Sequence, residues 1–249
     1  MNQLGLIGFP LAHSFSEKYF KVKFQNENID NWKYQNFEIP KIEILLTLVS
    51  ENIDLKGLNV TIPYKEQVLR YLDEIDEEAQ EIGAVNTLKI SKLNSKLHVK
   101  GYNTDYYGFE KSLKPLLESH HKNALILGTG GASKAVAFAL KKLNIYYKFV
   151  SRIAKDEHVI SYKDITNNAL KNYQIIINTT PVGTFPNVTE CPDLPYSGLT
   201  NSHILFDLVY NPDKTRFLEL GEKYGAKTKN GYEMLTLQAE KAWEIFTSA

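Results

Sequence analysis

The sequence has 249 residues, 43% of them hydrophobic, with 29 basic side chains balanced by 29 acidic ones for a formal net charge of zero. Such a chain buries an ordinary globular core in one or two domains without a metal or disulfide staple, and its charge balance excludes the basic face of a nucleic-acid binder. Purely apolar runs such as 175–177 fall far short of the roughly 20 residues that cross a bilayer, and the first residues lack the basic and apolar regions of a secretory signal.

A cytoplasmic protein without membrane or nucleic-acid partners is therefore expected. The single Cys191 forms no internal disulfide, and cysteine and histidine show no zinc-type spacing, so no metal is expected either.

Taken in chain order, apolar periodicity alternates between strand and helix, the signature of an α/β fold. Strands are expected at 4–9, 33–39 and 57–62, with helices at 16–28 and 41–51 between them and 64–72 after them. Residues 85–90 and 96–101 flank a turn at 91–95 and read as a hairpin. The acidic run 73–81 reads as the solvated face of a helix.

Pro115 breaks or kinks any helix running through 106–117. A second series follows, with strands at 124–127, 146–151, 174–178 and 204–208, a helix at 132–143, and a helix at 215–224 that ends at Gly225. The last helix, 232–246, carries Leu235, Ala239, Ala242 and Phe246 on one stripe that must pack on something. Two α/β domains joined near 103–118 are expected: 1–103 with 232–249 packed back on it, and 104–231.

Residues 124–140 read as strand, glycine turn, helix. Gly128, Gly130 and Gly131 permit a tight turn and let backbone N–H groups approach a pyrophosphate at the positive end of the helix that starts near Ala132. Ser133 replaces the third glycine of the usual pattern and is still small enough for close helix–strand packing. At the end of the next strand a dinucleotide fold reads the adenosine ribose, where Asp or Glu suits NAD. Here Ser151 and Arg152 stand at that point, with Lys155 nearby, and an arginine bonds a 2′-phosphate instead, so the cofactor is expected to be NADP.

Polar residues also collect where other strands end. Ser14 and Ser16 open a helix, as caps or as ligands. Asn59 and Thr61 share a strand face, with Val60 pointing the other way. Lys65 follows Pro63 where a helix opens, a place the dipole makes unfavourable for an ammonium. Asp105 lies near the domain junction, and Asn86 is a polar residue inside an apolar strand, as a hydrogen-bonding device of the core or a ligand contact. Gln238 lies on or beside the packed stripe of the last helix, so its amide needs partners, either a substrate hydroxyl or protein groups alone.

The strings GFPLAHSFS, GLNVTIPYK, GAVNT, GYNTDYYGF, GTGGASKAV, INTTPVG, DLVYNP and NGYEMLTLQA run in order from residue 8 to residue 239. Together they resemble the shikimate dehydrogenase family. The resemblance implies an N-terminal substrate domain, a Rossmann-type NADP-binding domain and a C-terminal helix returning to the substrate domain. It also implies reversible reduction of 3-dehydroshikimate to shikimate with NADPH, in aromatic amino acid and chorismate biosynthesis.

By the same resemblance Lys65 and Asp105 are the catalytic pair, and Ser14, Ser16, Asn59, Thr61, Asn86, Asp105, Tyr210 and Gln238 bind substrate. Gly128, Gly130, Gly131, Ala132, Ser151, Arg152, Lys155, Thr180 and Gly231 serve the cofactor. Ile153 stands where the family commonly has threonine, which removes one hydroxyl from the phosphate site. A monomer or homodimer is expected. The rival readings are a quinate or dual quinate/shikimate dehydrogenase, whose NAD-using form Arg152 opposes, and a non-catalytic NADP-binding sensor, which has no need of both Lys65 and Asp105.

Overall fold

The computed structural model describes residues 1–11, 14–94, 96–154 and 157–248. Two compact units share the chain: residues 1–104 with 238–249, and residues 105–237.

The first unit is one six-stranded sheet with helices on both faces. Its elements are β1 (Asn2–Gly8), α1 (Phe15–Asn26), β2 (Trp32–Glu38), α2 (Ile44–Glu51), β3 (Leu55–Val60), β4 (Glu74–Ile75), α3 (Glu77–Ile82), β5 (Thr87–Leu93) and β6 (Lys96–Tyr102), in the order β2-β1-β3-β5-β6-β4. β1 runs parallel to β2 and β3, and the β5–β6 hairpin adds antiparallel to β3.

Because side chains alternate across a strand, the two faces build separate cores. Ile7, Leu58, Val60 and Leu88 pack with Leu45 and Val49 of α2. Leu4 faces the other way and packs with Phe20 and Phe24 of α1 and with Ala239, Ala242 and Phe246 from the end of the chain. Gly57 is required on that second face, since a Cβ there would lie 2.2 Å from the Phe246 ring.

The second unit contains α4 (Asp105–Leu113), β7 (Asn123–Leu127), α5 (Gly131–Lys142), β8 (Tyr146–Ser151), β9 (Val159–Ser161), α6 (Asn167–Leu170), β10 (Ile175–Asn178), β11 (Ile204–Asp207), α7 (Arg216–Lys223), β12 (Lys227–Lys229) and the start of α8 (Tyr232–Thr247). The strand order is β12-β11-β10-β7-β8-β9, parallel throughout. Counted from β7 this is the doubly wound order 3-2-1-4-5-6, whose reversal between β7 and β10 opens a crevice at the carboxyl ends of those strands. Both faces are buried: Ala124, Ile126, Ile175 and Ile177 on one side, Leu125, Leu127 and Ile176 on the other.

Several expectations are corrected. The segment after Pro63 is not a helix over 64–72 but a single 3-10 helix, Gln67–Tyr71. The acidic run 73–81 divides into β4 and α3, with the exposed Asp73 carboxylate accepting the Val99 N–H at 2.7 Å and so tying the run to β6. As Pro115 implies, by contrast, the helix entering it stops at Leu113 and tightens into a 3-10 turn, Lys114–Leu116.

On α8 the buried stripe is not continuous. Met234, rather than Leu235, joins the second unit's core, and from Gln238 onward the helix belongs to the first unit.

Candidate active site

In the first unit the polar candidates gather on the face of α1 and α8. Ser14 is the N-cap of α1, its Oγ accepting the Glu17 N–H at 3.2 Å, and Ser16 lies beside the hydroxyl of Tyr34. Tyr34 lies on β2 opposite Leu4, and Asn59 and Thr87 are cross-strand partners on β3 and β5, so all share one face.

From Tyr34 a chain of hydrogen bonds runs in one direction. The Tyr34 hydroxyl donates to Asn59 Oδ1 at 2.9 Å, and Asn59 Nδ2 donates to Thr87 Oγ1 at 3.3 Å. Thr87 Oγ1 donates to Asn86 Oδ1 at 3.0 Å, and Asn86 Nδ2 donates to Thr104 Oγ1 at 2.9 Å and Gln238 Oε1 at 3.3 Å.

One backbone bond fixes the sense of the relay. The Thr104 N–H, which can only donate, meets Asn86 Oδ1 at 2.7 Å and so sets the orientation of that amide. Gln238 Oε1 is then an acceptor, which it is also for the Thr104 hydroxyl at 3.3 Å. Burial pushes the Tyr34 hydroxyl above the ordinary tyrosine range and keeps it a donor.

Asn59, Asn86 and Gln238 are all buried, as expected for polar groups that satisfy one another. Asn59 has both ends engaged by protein, its Nδ2 also donating to the Asn86 carbonyl at 3.3 Å. Tyr34, Thr87 and Thr104 are the members of this network that the sequence reading did not place among the site residues. A tyrosine or threonine in a strand, or between a strand and a helix as Thr104 is, carries no signal that distinguishes it from a core residue or a cap.

Thr61 follows β3 and is half-buried against Gly8, where a Cβ would lie 2.5 Å from Thr61 Cγ2. Lys65 is half-buried beyond Pro63, and its carbonyl accepts the Val85 N–H at 2.8 Å. In the second unit Asp105 is the first residue of α4 and 6% exposed.

The glycine turn of the second unit lies in the β7–β10 crevice. Gly128 has φ +110°, and a Cβ there would lie 2.8 Å from Thr179 Oγ1, so both conformation and space demand glycine. Gly130 caps α5, and Ser133 is buried with its Oγ donating to the Gly130 carbonyl at 2.6 Å, so the serine in the third glycine's place braces the turn.

Beside the turn lies a cleft of about 680 Å³ lined by Gly128, Ser151, Arg152, Lys163, Thr180 and Cys191, among others. These features fit a dinucleotide carrying an extra phosphate. Lys155 lies outside the described residues. Gly130, Gly131, Ala132, Tyr210 and Gly231 are not part of the cleft's lining. Gly231 packs on the main chain, where a Cβ would lie 2.2 Å from the Leu208 carbonyl oxygen.

A second buried network lies where β10 and β11 end. Asp207, 0% exposed, accepts from Thr215 Oγ1 at 2.6 Å, the Val209 N–H at 3.0 Å and Asn178 Nδ2 at 2.9 Å. Asn178 Oδ1 in turn accepts the Thr180 hydroxyl at 2.6 Å. Burial pushes the Asp207 carboxyl up to about 6, against the hydrogen bonds that favour its ionised form.

Among the described residues no helix is long and apolar enough to cross a membrane. Residues 6–88 match the family model of the shikimate dehydrogenase substrate binding domain. An NADP(+)-dependent shikimate dehydrogenase of Methanococcus maripaludis strain C7 is 41% identical over 98% of this chain and 90% of its own length.

Among solved structures, shikimate dehydrogenase 1 from Peptoclostridium difficile is 39% identical with a TM-score of 0.81, over 99% of this chain and 91% of that one. The enzyme from Thermus thermophilus, solved in complex with NADP(H) and shikimate, is 30% identical with a TM-score of 0.85, over 99% of this chain and 94% of that one. With relatives this similar along its whole length, the chain belongs to the shikimate dehydrogenase family.

Proposed function

We propose that this chain catalyses the reversible reduction of 3-dehydroshikimate to shikimate with NADPH, in the cytoplasm. The observation that carries the reading is the chemistry of its two units. One holds a glycine turn at a sheet switch point beside a cleft with Arg152, suited to NADP. The other holds a relay of oriented amides and hydroxyls ending at Gln238, suited to a polyhydroxylated acid.

NADPH, when bound, supplies the hydride that reduces the ring carbonyl. Lys65 gives its proton to the oxygen as charge develops there and takes it back in the oxidation direction, with Asp105 as its partner in the catalytic pair. Ser14 and Ser16 hold the substrate carboxylate, while Asn59, Thr61, Asn86, Tyr210 and Gln238 address ring hydroxyls, Asn59 and Asn86 being held in place by the protein groups they also bond.

Gly128, Gly130, Gly131 and Ala132 receive the pyrophosphate at the start of α5, and Ser151 and Arg152 receive the 2′-phosphate. Thr180 and Gly231 shape the remaining cofactor contacts. The test is NADP reduction by the purified chain with shikimate beside quinate. Turnover with shikimate and little with quinate supports the reading, and turnover with quinate alone or with neither substrate overturns it.

A further inference from the structure

The cofactor cleft holds a second cation, and strand register ties it to Arg152. β8 and β9 run parallel with Ser151 opposite Ser161. Arg152, the residue leaving β8, therefore emerges at the same carboxyl edge as Tyr162, and Lys163 follows in the 3-10 turn Tyr162–Asp164. Only residues 152–158 separate the two strands, where a parallel crossover usually takes roughly a dozen residues and a helix.

Arg152 and Lys163 both line the cleft, together with the hydroxyl residues Ser151 and Ser161 and the carboxylate residue Asp193. The turn carrying Lys163 is fixed by a capping box. The Lys163 N–H donates to Ser161 Oγ at 3.4 Å, and the Ser161 N–H donates to Asp164 Oδ2 at 2.8 Å. Ile153, 74% exposed, offers no polar group beside Arg152.

Two cations line one edge of the cleft, with the carboxylates of Asp193 in the lining and of Asp164 in the Lys163 turn beside them. A phosphomonoester carries about −1.5 to −2 charge at pH 7 and three acceptor oxygens, enough to engage both cations at once.

We propose that Lys163 and Arg152 form a two-cation clamp on the 2′-phosphate of NADP, with Lys163 a determinant of NADP over NAD. The inference rests on the cofactor reading above. Arg152 supplies a planar fork and Lys163 a mobile point charge, so the lysine takes the place of the hydroxyl that Ile153 lacks.

The test compares adenosine 2′,5′-bisphosphate with 5′-AMP, which differ only in the 2′-phosphate, by calorimetry at fixed salt on the whole chain. Lys163→Ala weakens the bisphosphate roughly tenfold and leaves 5′-AMP within about twofold, and Lys163→Arg restores most of the loss. The NADPH-over-NADH ratio of kcat/KM falls in parallel. Bisphosphate binding unaltered by Lys163→Ala overturns the clamp, and so does an equal loss for both nucleotides. An equal loss from Lys171→Ala, outside the cleft lining, reduces the effect to net charge and overturns it too. A wild-type chain that binds 5′-AMP and bisphosphate equally, or neither, overturns the cofactor reading and the clamp with it.

Discussion

Gln238 shows what a polar residue on a packed helix face requires. Its neighbours Ala239 and Ala242 are buried, and its Oε1 accepts from Asn86 and Thr104. The sequence shows that such an amide needs partners, but strand and helix periodicity contains no information about which residues of distant segments meet it. Gln238→Ala therefore does two things. In its proposed substrate role it takes away one hydrogen bond to shikimate, raising KM about tenfold, since one neutral hydrogen bond contributes ~1 kcal/mol or somewhat more. It also ends the relay early, but Asn86 and Thr104 still bond each other. The stability loss is then about 1 kcal/mol, or roughly 2–4 °C in Tm for a chain of this size. Titrations with shikimate and NADP and one thermal scan check this: a fall in Tm with unchanged KM for shikimate would make Gln238 a structural residue alone. Lys65 predicts the opposite split. In its proposed role of proton carrier it is needed only as charge develops, so Lys65→Ala lowers kcat by roughly 10² to 10⁴ with substrate affinity near normal. Steady-state kinetics that show lost affinity and intact kcat would reassign it to binding.

At the scale of elements, long periodic segments were legible and short ones were not. β7, α5, β8, β10 and β11 lie within a residue or two of their expected places because both faces of the sheet are buried and the glycine turn marks the first crossover. β9 and β12, three residues each, are too short for any period to show, and they exist because a neighbouring strand edge offers them hydrogen bonds. The same limit hid the junction of β10 and β11, where Asn178 and Asp207 end adjacent strands in register and bond each other. Asp207 has a thermodynamic signature. Its folded-state carboxyl, pushed by burial from 3.8 up to about 6, binds a proton that the unfolded chain releases at lower pH. Its contribution to stability is thus most favourable below about pH 4 and falls as pH rises through 6, by roughly 3 kcal/mol for two pH units of difference. Asp207→Asn abolishes that dependence while its carbonyl still accepts from Val209 and Asn178. Urea melts between pH 4 and 7 should show the variant gaining on the wild type by that order as pH rises. A difference constant with pH would mean that Asp207 titrates alike in both states.

At the scale of the molecule, the two units differ in how the chain builds them. The second is one continuous stretch, 105–237, whereas the first takes residues 1–104 and then waits for 238–249. The stripe on the last helix shows in sequence that it must be buried, but an apolar stripe fits any apolar face. Its destination was legible only through the family resemblance. In the structure Ala239, Ala242 and Phe246 close the core of Leu4, Phe20 and Phe24, and Trp243 meets Phe24 and Trp32 with ring centroids 5.4 and 5.0 Å apart. Removing that end opens a cavity among aromatic side chains and exposes them to water. The cost of losing even one such ring is ~3–5 kcal/mol, a large share of the ~5–15 kcal/mol that holds a typical domain together. The fragment 105–237 should therefore unfold cooperatively in urea and bind adenosine 2′,5′-bisphosphate by itself. The fragment 1–104 should lack near-ultraviolet circular dichroism and a cooperative transition until residues 238–249 are joined to it through a flexible linker. A cooperative transition in 1–104 alone would show that the closing helix is dispensable to that core, and its role would then be confined to presenting Gln238.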